Sequence, residues 1–449
     1  MKSYSSLRVA YPTFYYKNYE IEQKNDQITV TYHFEIDSLT KFSPSWVFPV
    51  GSLGVEIGDA NLQAMVFNLG LAELVSYWKT TCSPTVVIEC GSLSPEQIRW
   101  WKKLYYHGLG EFFYLNRISP DENFMRIIST GANHSTIPST RHLKGNLIPV
   151  GGGKDSNVTM ELLKEFKDIN RPYIINPRGA TLDSVRVAGY ENETLTAKRT
   201  LDANMLQLNR EGFLNGHTPF SAIVAFSSII TAYLNGLKYV VLSNESSANE
   251  STVAGSTVNH QYSKSFEFEK DFNSYEKEFI KSGVYYFSML RPLSEYQIAS
   301  YFARLTQYHS VFKSCNKGSH TNIWCADCSK CLFVYIILSP FLSFEDLNAI
   351  FSRDMANDIH LTETLNQLIG LDTDEKPFEC VGSRDEVNFA LCEAIKHNET
   401  LPYLYEYYKG TPLYESYSKR TNPYNSHYDK QHLLPAGYRD ILERELNIK

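Results

Sequence analysis

The chain has 449 residues, which is too long for one compact domain and predicts roughly two to four domains. Hydrophobic residues make up 43% and charged residues 21%, a composition typical of a globular protein with a buried core. The net charge of −7 argues against nucleic acid as a partner, because phosphate binding usually needs a basic surface. The amino terminus lacks the apolar stretch of a signal peptide, and no apolar run reaches the roughly 20 residues that cross a bilayer. We therefore expect a cytoplasmic protein without membrane insertion.

The first third of the chain has the pattern of a mixed α/β domain. Gln27–Ile36 alternates between apolar and polar residues, which predicts a half-buried strand. Pro84–Cys90 predicts a second, buried strand. Ser94 and the proline after it predict a helix start, with Gln97 placed to complete a capping box. No catalytic signature occurs here, so residues 1–144 are predicted to form an α/β N-terminal domain.

From about residue 145 the predicted strands and helices alternate. Short apolar strands are predicted at Leu147–Val150, Tyr173–Ile175 and Lys238–Leu242, and a long apolar helix at Ser221–Asn235. This alternation is typical of a parallel sheet with helices on both faces. The second predicted domain spans residues 145–345.

After residue 345 the pattern becomes helical. Helices are predicted at Glu345–Ile350, Thr362–Ile369 and Glu386–His397. Gly370 occupies the position where a helix commonly ends on a glycine. We therefore predict a helical C-terminal region over residues 346–449.

The most informative motif lies between the strand ending at Val150 and the helix after it: Gly151-Gly152-Gly153-Lys154-Asp155-Ser156. Glycines allow backbone N–H groups to converge on an anion, and a helix N-terminus adds partial positive charge. The spacing excludes a Walker A loop, in which Ser or Thr directly follows the lysine. The motif resembles the SGGxDS signature of the PP-loop ATP pyrophosphatase superfamily. That resemblance implies an adenine nucleotide alpha hydrolase-like, parallel-sheet domain that uses ATP, transfers AMP and releases pyrophosphate.

The same resemblance implies a role for each polar residue of the loop. Ser156 would hydrogen-bond pyrophosphate, Asp155 would hold magnesium, and Lys154 would add a mobile positive charge. Gly151 stands where most members have serine, so the backbone must compensate for one missing hydroxyl. The alternative is a glycine-rich connection without a ligand, but a strand before it and a helix after it favour a phosphate site.

A cysteine cluster follows further along the chain. Its spacing is C-x9-C-x2-C-x2-C, formed by Cys315, Cys325, Cys328 and Cys331. Four thiolates this close predict a closed tetrahedral zinc site, with an iron–sulfur cluster as the alternative. The remaining cysteines are scattered among apolar residues and are expected in the core: Cys82, Cys90, Cys380 and Cys392.

Two resemblances combine these features. The phosphate loop followed by four cysteines resembles 7-cyano-7-deazaguanine synthase, a much shorter enzyme. A longer match rests on the segments LIPVGGGKDS, NGHTPFSAI, VVLSNESSAN, VNHQYSKSFEFE and WCADCSKCLFVYIILSPFL. Together these segments resemble the UDP-N-acetylmuramoyl-L-alanyl-L-glutamate epimerase family, MurL, over about residues 145–345.

The MurL resemblance implies an ATP-dependent epimerase of peptidoglycan precursor synthesis. Such an enzyme adenylates the terminal L-glutamate of UDP-MurNAc-L-Ala-L-Glu and inverts its α-carbon. Its products are UDP-MurNAc-L-Ala-D-Glu, AMP and pyrophosphate. The first alternative is adenylation in nucleobase or tRNA modification, against which the acidic charge and the large flanks argue. The second is a non-catalytic nucleotide-binding module, which the intact Asp155 and Ser156 disfavour.

A polar segment, Asn259-His260-Gln261-Tyr262-Ser263-Lys264, is the first place to look for acid–base residues. His260 is a natural base near neutral pH, and Lys264 could hold a carboxylate or a phosphate. A solvated surface loop is the alternative for this segment. His217 precedes the long helix and can point at a ligand. The pattern by itself favours a packed or capping histidine, and the MurL resemblance is what supports a ligand role.

Polar residues also follow two of the predicted strands. Asn244 and Glu245 come after the strand that ends at Leu242, and ligands of parallel sheets bind at the carboxyl ends of strands. Glu245 is therefore a candidate for magnesium or substrate, with a solvated loop charge as the alternative. Asn176 and Arg178 leave the predicted strand Tyr173–Ile175, where nucleotide-binding sheets often place adenosine contacts, with a surface arginine as the alternative for Arg178.

Overall fold

The structure is a computed structural model that describes residues 2–52, 54–121, 123–252, 258–373 and 375–446. Its strands are β1 Thr13–Lys24, β2 Gln27–Ile36, β3 Thr40–Phe42, β4 Ser45–Pro49, β5 Thr85–Ile88, β6 Arg126–Ser129, β7 Asn146–Pro149, β8 Asn170–Ile175, β9 Leu195–Thr200, β10 Tyr239–Leu242 and β11 Tyr285–Ser288. Its α-helices are α1 Tyr4–Ala10, α2 Ala60–Trp78, α3 Pro95–Gly108, α4 Gly110–Leu115, α5 Lys154–Leu162, α6 Gly179–Val187, α7 Ala203–Arg210, α8 Phe220–Leu234, α9 Phe266–Tyr275, α10 Glu295–Ala303, α11 Ser329–Leu338, α12 Phe344–Phe351, α13 Thr362–Ile369, α14 Arg384–His397, α15 Tyr403–Lys409, α16 Pro412–Tyr417 and α17 Ala436–Leu446.

All of these strands belong to one sheet, in the order β11-β10-β7-β8-β9-β4-β2-β1-β5-β6, with β3 beside β2. Strands β7 to β11 pair in parallel, as do β1, β5 and β6. The strands around β2 pair antiparallel, and so do β4 and β9, which join the two halves. The expected mixed α/β fold with a mostly parallel sheet is thus confirmed. The sheet runs across residue 144, and the division into three regions stays a prediction.

Local patterns placed many elements correctly. β2 coincides with the predicted strand Gln27–Ile36, and every second residue of it is buried. The capping box at the start of α3 forms as predicted, because the side chains of Ser94 and Gln97 each accept a hydrogen bond from the other residue's N–H. Gly370 ends α13 with a left-handed φ of +79°. In each case the signal lies within a few residues, so no tertiary contact was needed to recognise it.

The apolar residues form two cores. One surrounds α2 and α8, and the other surrounds α11 and α14. α8 and α11 are buried along almost their whole length, which explains why their sequences are apolar rather than amphipathic. No helix in the described part of the chain is long and apolar enough to cross a membrane.

A buried ion pair fastens the joint between the two halves of the sheet. Glu73 of α2 is fully buried and accepts a 2.8 Å hydrogen bond from the indole of Trp46 on β4. Arg199 of β9 binds the same carboxylate through two 2.7 Å hydrogen bonds. Bidentate pairing satisfies both charges at once, which a buried carboxylate requires. The pair therefore links α2, β4 and β9.

Glu73→Gln should test this joint, because it leaves the Arg199 guanidinium buried without its anion. We expect a loss of about 3–5 kcal/mol in the free energy of unfolding, measured by urea denaturation. The control is Arg186→Ala, which removes an exposed pair with Asp183 and should cost less than about 1 kcal/mol. Equal losses in the two variants would contradict the assignment of the joint.

Candidate active site

The phosphate loop connects β7 to α5 and depends on one glycine with a left-handed backbone. Gly152 has a φ of +81°, and a Cβ on it would lie 2.9 Å from the backbone of Ala180 and Thr181. Only glycine fits there without strain. Gly151 is different, because no heavy atom lies within 4 Å of the position that its Cβ would take. The loop is therefore packed on one side and open at Gly151.

Lys154, the first residue of α5, is directed into the protein and not toward solvent. It is 2% exposed, and its ammonium group forms ion pairs with Asp155 and with Glu295 of α10. Burial disfavours the charged amine, but the two carboxylates outweigh burial and raise the pKa of Lys154. The expectation of a mobile charge is wrong, since both partners hold this side chain in place.

Three carboxylates meet beside that lysine. Oxygen atoms of Asp155, Glu245 and Glu295 lie within 4.8 Å of one another. Burial raises the pKa of Glu295 to about 8, whereas for Asp155 the nearby Lys154 and Lys330 outweigh burial and lower the pKa. Carboxylate oxygens are the ligands that Mg²⁺ prefers. The donor set therefore fits a magnesium ion, and Asp155 and Glu245 lie together as candidates.

A cavity of about 440 Å³ opens at the carboxyl ends of β7 and β8. Gly151, Asn176 and Arg178 all line it, together with Arg199. The Asn176 amide is engaged with the backbone of Arg199, through hydrogen bonds of 2.8 and 2.9 Å. Asn176 therefore shapes the wall of the cavity and ties β8 to β9, while the exposed Arg178 is placed to contact a ligand.

The remaining loop residues have structural contacts. The Ser156 hydroxyl donates to the Gly153 carbonyl at 3.2 Å, within the first turn of α5. The Asn244 amide donates to the hydroxyl of Ser288 at 3.1 Å, which links the ends of β10 and β11. Asn244 thus holds the strand end from which Glu245 projects.

A second polar group forms around two histidines. The Oε2 atom of Glu111 on α4 lies 2.5 Å from Nδ1 of His260 and 3.2 Å from Nδ1 of His217. The two imidazole rings are 4.6 Å apart. Burial and the adjacent His260 lower the pKa of His217 to about 4, so His217 is neutral at physiological pH. Glu111 was missed in the sequence, because nothing in its local pattern distinguishes it from a surface helix residue.

Cys380 completes this group, and its expected place in the apolar core is wrong. Its Sγ lies 3.1 Å from the Lys264 ammonium, and it also hydrogen-bonds His260. Burial opposes the thiolate, yet these two cations lower the pKa of Cys380 to about 6. Burial likewise disfavours charge on His260, but Cys380 and Glu111 raise its pKa to about 9. The expectation holds for Cys82 and Cys392, which lie in the two cores.

A buried arginine joins the carboxylates to the histidine group. Arg291 is fully buried, pairs with Glu269, and donates to the backbone carbonyls of Glu245 and Lys264. The charges of Cys380, Glu245 and Asp155 together overcome burial and raise the pKa of Lys264. His217, His260 and Lys264 are thus brought to one group that borders the carboxylate cluster.

The four clustered cysteines have the arrangement of a tetrahedral metal site. The Sγ–Sγ distance is 3.8 Å from Cys315 to Cys328, 3.6 Å from Cys325 to Cys331 and 3.5 Å from Cys328 to Cys331. A zinc ion with Zn–S bonds of about 2.3 Å requires sulfur atoms about 3.8 Å apart. The donor set therefore fits zinc, which stays a prediction. The chain before Cys315 also hydrogen-bonds the phosphate loop, from Lys313 N–H to Gly152 C=O at 2.8 Å.

Comparisons with known proteins identify related sequences. Residues 5–289 match the MurL N-terminal domain, and residues 311–403 match the MurL C-terminal domain. A UDP-N-acetyl-alpha-D-muramoyl-L-alanyl-L-glutamate epimerase of Xanthomonas oryzae pv. oryzae is 34% identical over 346 residues, which cover 75% of this chain and 76% of the relative. The protein of the same name from Salinispora tropica is 35% identical, with coverage of 71% and 70%. No solved structure matches the chain significantly.

Gly152→Ala should damage the phosphate loop, because its backbone conformation and its contact with Ala180 both exclude a side chain. We expect a loss of at least about 1–2 kcal/mol in the free energy of unfolding. Gly151→Ser is the matched control, since a side chain there meets open space. If both variants unfold at the same urea concentration as the parent protein, the loop is not built as described.

The cysteine site should carry about one zinc ion per chain, as measured by elemental mass spectrometry. Cys328→Ser should lower the metal content and the free energy of unfolding, because structural zinc contributes to folding. Cys392→Ser, in α14, should leave the metal content unchanged. A brown protein that contains iron would instead establish the iron–sulfur alternative.

Proposed function

Because the chain belongs to the MurL family, we propose that it is an ATP-dependent epimerase of UDP-N-acetylmuramoyl-L-alanyl-L-glutamate. ATP is the co-substrate and the terminal L-glutamate is the residue inverted. Pyrophosphate leaves in the adenylation step, and hydrolysis of the inverted adenylate by water gives the D-glutamate epimer and AMP. The names of the relatives favour this reaction over nucleobase or tRNA modification.

The observation that carries the proposal is the proximity of the carboxylates beside the phosphate loop to an acid–base group. Removing the α-proton of a free carboxylate would place a second negative charge beside the first. Converting that carboxylate to an acyl adenylate neutralises the oxygen, and the carbanion then spreads into a carbonyl group. An epimerase that acts in this way needs an ATP site and a proton-transfer site side by side. The bridge from Glu245 through Arg291 to Lys264 supplies that proximity.

In this proposal, residues 151–156 act as a PP-loop and bind the phosphates of ATP. The adenosine would occupy the cavity at the ends of β7 and β8, against Arg178, and the pyrophosphate would lie at the open side of Gly151. Ser156 and the α5 N-terminus would bind the pyrophosphate. A magnesium ion, when bound, would neutralise phosphate charge, and Asp155, Glu245 and Glu295 are the residues that would hold it. Zinc would brace the loop around Cys315 without chemistry of its own.

The proton-transfer site would consist of His260, Lys264 and their neighbours. Lys264 carries a positive charge that can attract the substrate's carboxyl or phosphate oxygens. The cationic side chains also favour the enolate-like charge that develops when the α-proton leaves. Partial burial of His260 and His217 limits water around that charge, which strengthens the interaction.

The proposal predicts that deuterium enters the glutamate α-position in heavy water only when ATP is present. AMP and pyrophosphate should form at the same time, as followed by chromatography and by mass spectrometry of the substrate. Asp155→Ala should reduce both readouts more than about 100-fold. The variant removes a carboxylate that would hold magnesium, and magnesium would neutralise the charge that develops on the phosphates.

Asp440→Ala is the control for that variant, since it removes an exposed carboxylate on α17, outside the cavity and the carboxylate cluster. Its rates should equal those of the parent protein. Formation of ADP and inorganic phosphate, or deuterium exchange without ATP, would overturn the proposed reaction.

A further inference from the structure

We infer that Cys380 is the catalytic base that removes the glutamate α-proton, acting as a thiolate held between Lys264 and His260. This inference rests on the proposed epimerisation and names the group that performs its central step. No sequence pattern selects this cysteine, since it lies far from the phosphate loop and outside the four-cysteine cluster. The inference follows from what surrounds the thiol.

The loop between α13 and α14 presents Cys380 to the histidine group, and several contacts fix that loop. Lys376 N–H donates to the Thr252 carbonyl at 2.9 Å, and the Lys376 ammonium pairs with Glu250 at 2.5 Å. The ring of Phe378 packs against Tyr114 of α4 with centroids 5.5 Å apart. These contacts, which lie two to four residues before Cys380, make the thiol a positioned group rather than a mobile one. The residue as a whole is only partly buried.

Positive charge surrounds Cys380. Lys264 lies 3.1 Å from Sγ, His260 hydrogen-bonds the side chain, and the Lys330 ammonium donates to the Cys380 backbone carbonyl. Thiolates are the reactive form of cysteine, and adjacent cations favour them. Cys90, which lies outside this group, shows the opposite effect, because burial raises the pKa of its thiol to about 12.

The same contacts assign a different role to His260. The Nδ1 atom of His260 faces the carboxylate of Glu111, and the Cys380 thiolate interacts with the same imidazole ring. Two anions therefore border this imidazole. A histidine in that setting is held as imidazolium and has no free base to offer near neutral pH. The pair therefore exists as thiolate and imidazolium, in which sulfur is the proton acceptor. Lys264 and His260 are positioning residues for Cys380.

The step balances as a simple proton transfer. The Cα–H bond of the acyl adenylate breaks, an S–H bond forms, and the C–H electron pair moves into the adjacent acyl carbonyl. Water then gives a proton to the opposite face of the α-carbon. The hydroxide that this leaves takes the proton from the Cys380 thiol, so the enzyme returns to its starting state. Solvent hydrogen consequently enters the product.

The test separates adenylation from proton transfer. Cys380→Ser should retain substrate-dependent exchange of labelled pyrophosphate into ATP within a few-fold. The same variant should lose α-deuterium incorporation by at least about 100-fold, which is typical for removal of a general base. Cys90→Ser, another partly buried free thiol, is the matched control and should retain both activities.

Parent-level deuterium incorporation in Cys380→Ser would overturn the inference. Loss of both activities in a folded Cys380→Ser protein would also overturn it, because Cys380 would then serve adenylation. Failure of the proposed function would look different, since the parent protein itself would then show no ATP-dependent exchange.

A second measurement uses the parent protein, so it depends neither on the folding of Cys380→Ser nor on the epimerisation reaction. The rate of Cys380 carbamidomethylation by iodoacetamide, followed by peptide mass spectrometry of the parent protein, should rise with pH with a midpoint near 6. Lys264→Met should move that midpoint upward, which loss of a purely structural residue would not do. A midpoint at or above the usual thiol value of about 8.5 would overturn the inference.

Discussion

A lysine buried beside the phosphate loop constrains the structure around the site. An ammonium group removed from water needs nearby negative charge, and Lys154 obtains it from Asp155 in its own helix and from Glu295 at the start of α10. The Glu295 N–H in turn donates to the buried carboxylate of Glu386 on α14 at 2.7 Å. One buried cation thus connects the phosphate loop to α10 and, through α10, to the C-terminal helices.

The same physical rule applies at the other junctions of the molecule. Arg291 is satisfied by Glu269 and by the carbonyls of Glu245 and Lys264, so two loops distant in sequence are held side by side. Glu73 performs the corresponding task between the halves of the sheet. Removing either member of such a pair leaves a buried charge without compensation. These ion pairs are therefore stabilising only when the two charged groups keep their hydrogen-bonding geometry.

The site combines two charge environments that suit different steps. Carboxylate oxygens lie together beside the phosphate loop. A divalent cation would add positive charge there, and a nucleotide would add negative charge. Cationic groups, among them Lys264 and His260, gather around Cys380, where negative charge would develop on a substrate carbon. Lys264 lies at the border and experiences the charges of both groups. This separation is consistent with an enzyme that first activates a carboxylate and then moves a proton next to it.

The sequence by itself determined the elements whose signals are local. The alternating pattern of Gln27–Ile36, the capping box at Ser94, the helix end at Gly370 and the glycine loop at residues 151–156 each require only neighbouring residues. The four cysteines were recognisable for the same reason, since three of them lie within seven residues. Hydrophobic periodicity and turn chemistry act over a few residues, so these features can be predicted without a fold.

Tertiary structure alone decided which distant residues share the site. Glu111, His217, His260 and Cys380 come from four separate segments, and no spacing in the sequence relates them. Local pattern placed Cys380 in the core, because its neighbours are partly apolar and its cationic partners are remote in the chain. It also made Lys154 a mobile charge, because its partner Glu295 follows it by 141 residues. Electrostatic interactions depend on distance in space, and only the folded chain sets that distance.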